Sequence, residues 1–228
     1  MNNFFPNKTA FITLIACCLV VIISLGIRQT FGLFYFDFST DLDITISQFG
    51  FAMGLQLFLW GAFNPLFGVI TDKYGGSIAI FIGFLFYLAG VLLFYLGFNT
   101  GVNFIYTIGI LIGVGLGSTA ISIPVSVVAK HYPASKRTMA TGIVTSAGSF
   151  GYFVSPIFVS YSLTENGWEP TMLYFCFLLG LGLLVALFVS TPKIPVGSNQ
   201  NTNQTATEAL KEALSNKSFI YLTLGFFV

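Results

Sequence analysis

Charge is what this chain has least of: nine Lys and Arg and eight Asp and Glu among 228 residues, 7% in all, where a soluble domain carries roughly 25%. That scarcity excludes a solvated globular surface. The few charges balance to +1, so no basic face calls for a nucleic-acid partner. Cysteine is almost missing too. Cys17, Cys18 and Cys176 form an odd set, each inside an apolar run, which is the wrong setting for a disulfide framework. The one histidine, His131, has no Cys, His or carboxylate company at ligand spacing, so no metal site and no cofactor are expected. Nor does any nucleophile stand with an acid or base, so no catalytic residue can be named and an enzyme is not expected.

What is present is apolar: 55% hydrophobic residues, with 27 Phe, 24 Gly and 10 Tyr. A membrane span needs about 20 apolar residues, and six runs qualify, at 10–36, 48–71, 78–98, 103–129, 138–161 and 171–191. None alternates with period 2, and lipid leaves only helices and closed barrels able to satisfy their backbone, so all six are read as helices. Leu14-Ile-Ala-Cys17 loosely fits a lipoprotein cleavage pattern, but the apolar run continues past Cys18 and the segment is kept as a span. With the N-terminus inside, eight of the nine basic residues fall on the cytoplasmic side, and the outer loops hold Asp37, Asp41, Asp43, Glu165 and Glu169 with no Lys or Arg. The positive-inside rule thus expects a multi-pass protein of a plasma or inner membrane with a cytoplasmic N-terminus.

Residues 1–191 are therefore expected to form a six-span domain. Residues 192–217 turn polar and read as a cytoplasmic linker, with a short amphipathic helix expected over 207–215. Residues 218–228 read as the start of a seventh span, since ten apolar residues rise only about 15 Å as a helix.

Between the second and third runs stands Gly68-Val-Ile-Thr-Asp72-Lys73-Tyr74-Gly75-Gly76-Ser77. A short charged turn of this kind lets a carboxylate reach a nearby cation and fix how helices meet, and Arg137, opening the fifth run, is the expected partner of Asp72. The turn resembles the G-x-x-x-D-[RK]-x-G loop of the major facilitator superfamily, with Gly76 and Ser77 where that pattern usually continues with basic residues. Arg28-Gln-Thr-Phe-Gly-Leu-Phe34, Gly113-Val-Gly-Leu-Gly117, His131-Tyr-Pro-Ala-Ser-Lys-Arg137 and Ala140-Thr-Gly142 resemble the monocarboxylate and oxalate/formate branch of that superfamily. The resemblance implies an all-α integral membrane fold, the six-helix N-terminal half of a major facilitator built as a 3+3 inverted repeat, with a stub of the seventh helix. It also implies Gly68, Asp72, Lys73, Gly75 and Arg137 as gating or structural residues, and Arg28 as the basic residue of the first helix that handles substrate.

Arg28 is also singled out by physics, because a guanidinium in hydrocarbon costs about 3 kcal/mol on insertion scales. Helical spacing puts Ser24, Arg28 and Tyr35 on one face. Twenty steps separate Arg28 from Lys8, about 30 Å of helix, so it is expected nearer the outer surface, where snorkelling towards Asp37 or the headgroups is the alternative to a cavity. Gln56, Trp60 and Asn64 recur every four residues in the second run. That line either borders a pathway or serves interhelical hydrogen bonds. Ser122 and Ser126 in the fourth run, and Ser149 and Tyr152 in the fifth, complete the candidate substrate-binding set, while Gly109, Gly113, Gly115 and Gly117 read as packing residues and Pro124 as a bend.

The expected function is secondary transport, by alternating access, of a small organic anion such as a monocarboxylate. Its expected partners are the lipid bilayer, that anion, protons as a candidate coupling ion, and the C-terminal half of the same transporter. No Asp or Glu lies at mid-depth in any run, so a coupling carboxylate would have to come from that other half. The alternatives are a fragment inactive in transport and a porter for another small solute, a drug, sugar or amino acid.

Overall fold

The computed structural model describes residues 5–192 and Ser215. The linker, the amphipathic helix and the seventh run expected beyond 192 lie outside the described residues, Ser215 apart. The chain divides into two compact units, Met1–Gly197 and Ser198–Val228, and the architecture below is that of the first.

Among the described residues, six helical spans are long and apolar enough to cross a membrane: Lys8–Asp41, Ile46–Tyr74, Gly76–Tyr95, Gly101–His131, Ala134–Asn166 and Trp168–Ala186. Local chemistry sets their ends. Asn7 Oδ1 accepts the Ala10 N–H at 2.7 Å and caps the first. Thr45 and Gln48 form a reciprocal capping box at the start of the second. Gly75, at φ +96°, closes the second span and opens the third, a conformation that only glycine adopts without strain.

Two spans are interrupted, the first and the fourth. The first passes through a 3-10 turn at Phe31–Phe34 and resumes as Tyr35–Asp41, so it runs five residues beyond the apolar limit at 36. In the fourth, the α-helix Ile112–Thr119 stops at Ala120 (φ −71°, ψ −149°), and a second helix, Ser122–His131, begins after it. Pro124 explains the stop, because it has no N–H to give the Ala120 carbonyl and its ring crowds that oxygen. The expected bend is therefore a full break.

The first span packs on the fifth and sixth, the fourth packs on the second and third, the third meets the sixth, and the first meets the fourth. Exchanging the first three spans for the last three, in order, leaves this set of contacts unchanged. Two copies of one three-helix unit would behave in just this way, as the inverted-repeat architecture requires. The first and fourth spans are the most enclosed, whereas the second and fifth carry large exposed apolar side chains such as Phe51, Phe58, Phe153 and Phe158.

The acidic end of the bundle is closed by aromatic rings. Phe38 stacks on Phe34 at 5.4 Å and meets Phe94 at 4.8 Å and Trp168 at 5.8 Å. Trp168 also donates its indole N–H to Asp41 Oδ2 at 2.9 Å, tying the start of the sixth span to the end of the first. Trp168→Phe keeps the ring contacts and removes that charged hydrogen bond, so a loss of about 1.5–3 kcal/mol in stability is expected, read as a lowered melting temperature in detergent.

The basic end is tied by polar contacts. Lys130 Nζ donates to Asp72 Oδ1 at 2.6 Å. This corrects the expected pairing of Asp72 with Arg137: Lys130 ends the fourth span, which packs on the second, while Arg137 opens the fifth, which packs on the first. Lys73 instead lies over the Tyr74 ring at 5.1 Å. The two residues that depart from the basic loop pattern have partners of their own. Gly76 N–H donates to Thr191 Oγ1 and Ser77 Oγ to the Ala186 carbonyl, both at 2.8 Å, and a side chain on Gly76 would collide with Val127. His131, buried rather than solvated, has Nε2 2.8 Å from the Ser190 carbonyl.

Candidate functional site

Arg28 is the centre of the site. Its guanidinium carbon lies 5.6 Å from the centroid of the Trp60 ring, inside the ~6 Å reach of a cation–π contact. Trp60 is the middle residue of the 29-residue second span, so the charge is held at mid-span. Past Arg28 the first span continues through the 3-10 turn Phe31–Phe34 to Asp41 on the acidic side. Asp37 makes no ion pair with Arg28 among the described residues, so an ion pair with Asp37 is not what holds the side chain.

The energetics of Arg28 are incomplete. Among the described residues it pairs with no carboxylate, and its Nε is buried without a hydrogen-bond partner. A cation–π contact is worth about 0.5–2 kcal/mol, more as it is desolvated, against about 3 kcal/mol for a guanidinium in hydrocarbon. The ring therefore offsets part of that cost.

Tyr87, fully buried in the third span, is within electrostatic reach of both Arg28 and Tyr152 and donates its hydroxyl to the Ser24 carbonyl at 3.3 Å. A phenol at the middle of the apolar third run, whose other tyrosine, Tyr95, stands near its end, was the signal that could have found it. Ser24 itself is fully buried, its Oγ 2.7 Å from Thr119 Oγ1, which in turn donates to the Gly115 carbonyl at 3.0 Å. That hydroxyl pair joins the first span to the fourth, so Ser24 sets the height of Arg28 one turn away rather than lining an open surface.

The line Gln56, Trp60, Asn64 is divided by the structure. Gln56 is fully buried and gives Nε2 to the Ile108 carbonyl at 3.0 Å, within the wide π-helical turns of Ile105–Leu111. The interhelical alternative holds for it. Trp60 and Asn64 are half-buried, and Asn64 Nδ2 donates to Ser122 Oγ at 2.9 Å, just past the break in the fourth span. Ser122, Ser126 and Ser149 are exposed, and Tyr152 is half-buried. Tyr35 stands apart from the Arg28 cluster, packed edge-on against Phe49 at 5.2 Å. At the basic end, Gly68 has open space where a side chain would go, and the Arg137 Nε is buried without a hydrogen-bond partner.

A cation with an aromatic cover thus stands beside the hydroxyls of Ser24, Tyr87 and Thr119, which tie the first, third and fourth spans together. The family model described as Major Facilitator Superfamily matches residues 17–228. The chain belongs to the major facilitator superfamily. Among the relatives of this facilitator chain is an agnestins efflux protein of Paecilomyces divaricatus, 27% identical over 96% of the chain and 49% of the relative. Monocarboxylate transporter 2 of Homo sapiens is 25% identical over 83% of the chain and 39% of the relative. A probable nitrate transporter of Staphylococcus epidermidis is 26% identical over 72% and 42%. The chain thus spans less than half the length of the relatives it matches, and those relatives are named as transporters rather than enzymes. Six apolar spans and family membership make it a multi-pass integral membrane protein.

Proposed function

We propose that this chain is the N-terminal half of an alternating-access transporter for a small organic anion of the monocarboxylate class, with Arg28 as its anion-binding group. The observation that carries the reading is the mid-span guanidinium, held over Trp60 and paired with no carboxylate among the described residues. A charged donor in low dielectric binds a carboxylate strongly and discriminates by sign. The names of two relatives support the anion class, a monocarboxylate in one case and nitrate in the other. Asn64, Ser122, Ser126, Ser149 and Tyr152 supply hydrogen bonds for orienting the solute, and Asp72 with Lys130 braces the basic end, which faces the cytoplasm of a plasma or inner membrane. Protons remain the candidate coupling ion, accepted by a carboxylate of the C-terminal half.

The test is uptake of lactate, pyruvate, oxalate and formate into proteoliposomes holding the twelve-span polypeptide that contains this chain. Saturable uptake of at least one, competed by the others, is expected. Uptake of none, with transport of a neutral or cationic solute instead, would overturn the anion reading. A second reading rests on length. One half lines only one wall of a pathway, so residues 1–228 alone are expected to give no turnover in the same vesicles.

A further inference from the structure

An anion carrier built on a half-buried cation that pairs with no carboxylate among the described residues has unequal loaded and unloaded legs. With substrate aboard, the site is neutral and the two halves rock about it at little electrostatic cost. Without substrate the guanidinium must pass through the closed, dehydrated intermediate on its own, where desolvation penalises it most. A carrier in that position exchanges one anion for another but returns empty only slowly, unless some protein group takes the anion's place.

Trp60 is suited to that role by position and by chemistry. Its ring lies 5.6 Å from the Arg28 guanidinium carbon, at the middle of the second span. Both residues belong to the same six-span unit, so the ring travels with the cation as the halves rock. The ring face carries the negative end of its quadrupole and no titratable proton, so it compensates charge without competing as an ion. The Tyr87 hydroxyl, also within electrostatic reach of the charge, is committed to the Ser24 carbonyl.

Resting on the reading of Arg28 as the anion-binding group, we propose that Trp60 stands in for the anion during the return leg. It thereby sets how much of transport is net movement rather than one-for-one exchange. Trp60 is a positioning residue in this scheme, acting through Arg28 and not through the substrate.

The test compares zero-trans uptake with equilibrium exchange, in proteoliposomes of the twelve-span polypeptide, for whichever of lactate, pyruvate, oxalate or formate the wild type takes up fastest. Trp60→Leu is expected to lower the ratio of net uptake to exchange about tenfold, and Trp60→Phe, which keeps a weaker ring, about threefold. Site-specific incorporation of mono- to tetrafluorotryptophan at position 60 weakens the ring quadrupole at nearly constant size, so it reads the effect even where the leucine variant fails to fold. The ratio should fall stepwise with fluorine count. A flat fluorine series, or a wild type that exchanges without net uptake, overturns the proposal. Wild-type inactivity on all four anions, or uptake retained by Arg28→Gln, overturns the underlying reading instead, so the two failures are distinguishable.

Discussion

Arg28→Gln is expected to reduce anion uptake at least about a hundredfold while leaving the fold intact. The size follows from what glutamine lacks. A charge-assisted bond to a carboxylate at a dehydrated site is roughly twice as strong as a neutral one, and a hundredfold in rate corresponds to about 2.7 kcal/mol. The fold should tolerate the change because, among the described residues, Arg28 makes no ion pair and its Nε makes no hydrogen bond. Removing the cation even relieves part of a desolvation penalty, so the melting temperature should hold or rise. Arg28→Lys separates charge from shape: it keeps the sign but loses the planar fork and most of the stacking on Trp60, and is expected to fall between wild type and glutamine. Initial uptake rates set beside thermal unfolding in detergent read both halves of the prediction. Normal uptake by the glutamine variant would leave Arg28 as a contact between the first and second spans and nothing more.

How much of this was legible in sequence depends on the kind of signal. The six spans and the Asp72 turn were readable because hydrophobic length and loop charge are local properties. Helical spacing also put Gln56, Trp60 and Asn64 on one face correctly, but a face 100° wide holds both a buried edge and an open one. Only the packing of the fourth span shows that Gln56 lies on the first kind and Asn64 nearer the second. Ser24 was misjudged for the same reason. A serine one turn from an arginine reads as pathway until Thr119, 95 residues away, is seen to take its hydroxyl. The partner of Asp72 turned on which helix ends nearest, a matter of tertiary order that Lys130 and Arg137, seven residues apart, do not reveal.

The reading of the glycines as packing residues leads to the other large effect. Gly115→Ala is expected to destabilise the protein by about 3 kcal/mol, the upper end of overpacking costs, and Gly115→Leu to yield no monodisperse protein in detergent. A Cβ built on Gly115 falls 2.6 Å from the Gly83 carbonyl oxygen and 2.9 Å from the Tyr87 nitrogen, both backbone atoms that cannot swing aside. Close approach of small residues is what holds helices together in lipid, where no hydrophobic force drives them. Forcing the third and fourth spans apart at this crossing also displaces Tyr87 and Thr119, the two residues that fasten Ser24 and, one turn on, set the height of Arg28. Gly180→Ala is the matched control: nothing lies within 4 Å of its added methyl group, and alanine favours the helix by up to about 1 kcal/mol. Melting temperatures and size-exclusion profiles of the two alanine variants should therefore shift in opposite directions. If Gly115→Ala is tolerated as well as Gly180→Ala, the third and fourth spans do not cross where the structure puts them, and the placement of Arg28 beside Tyr87 falls with that crossing.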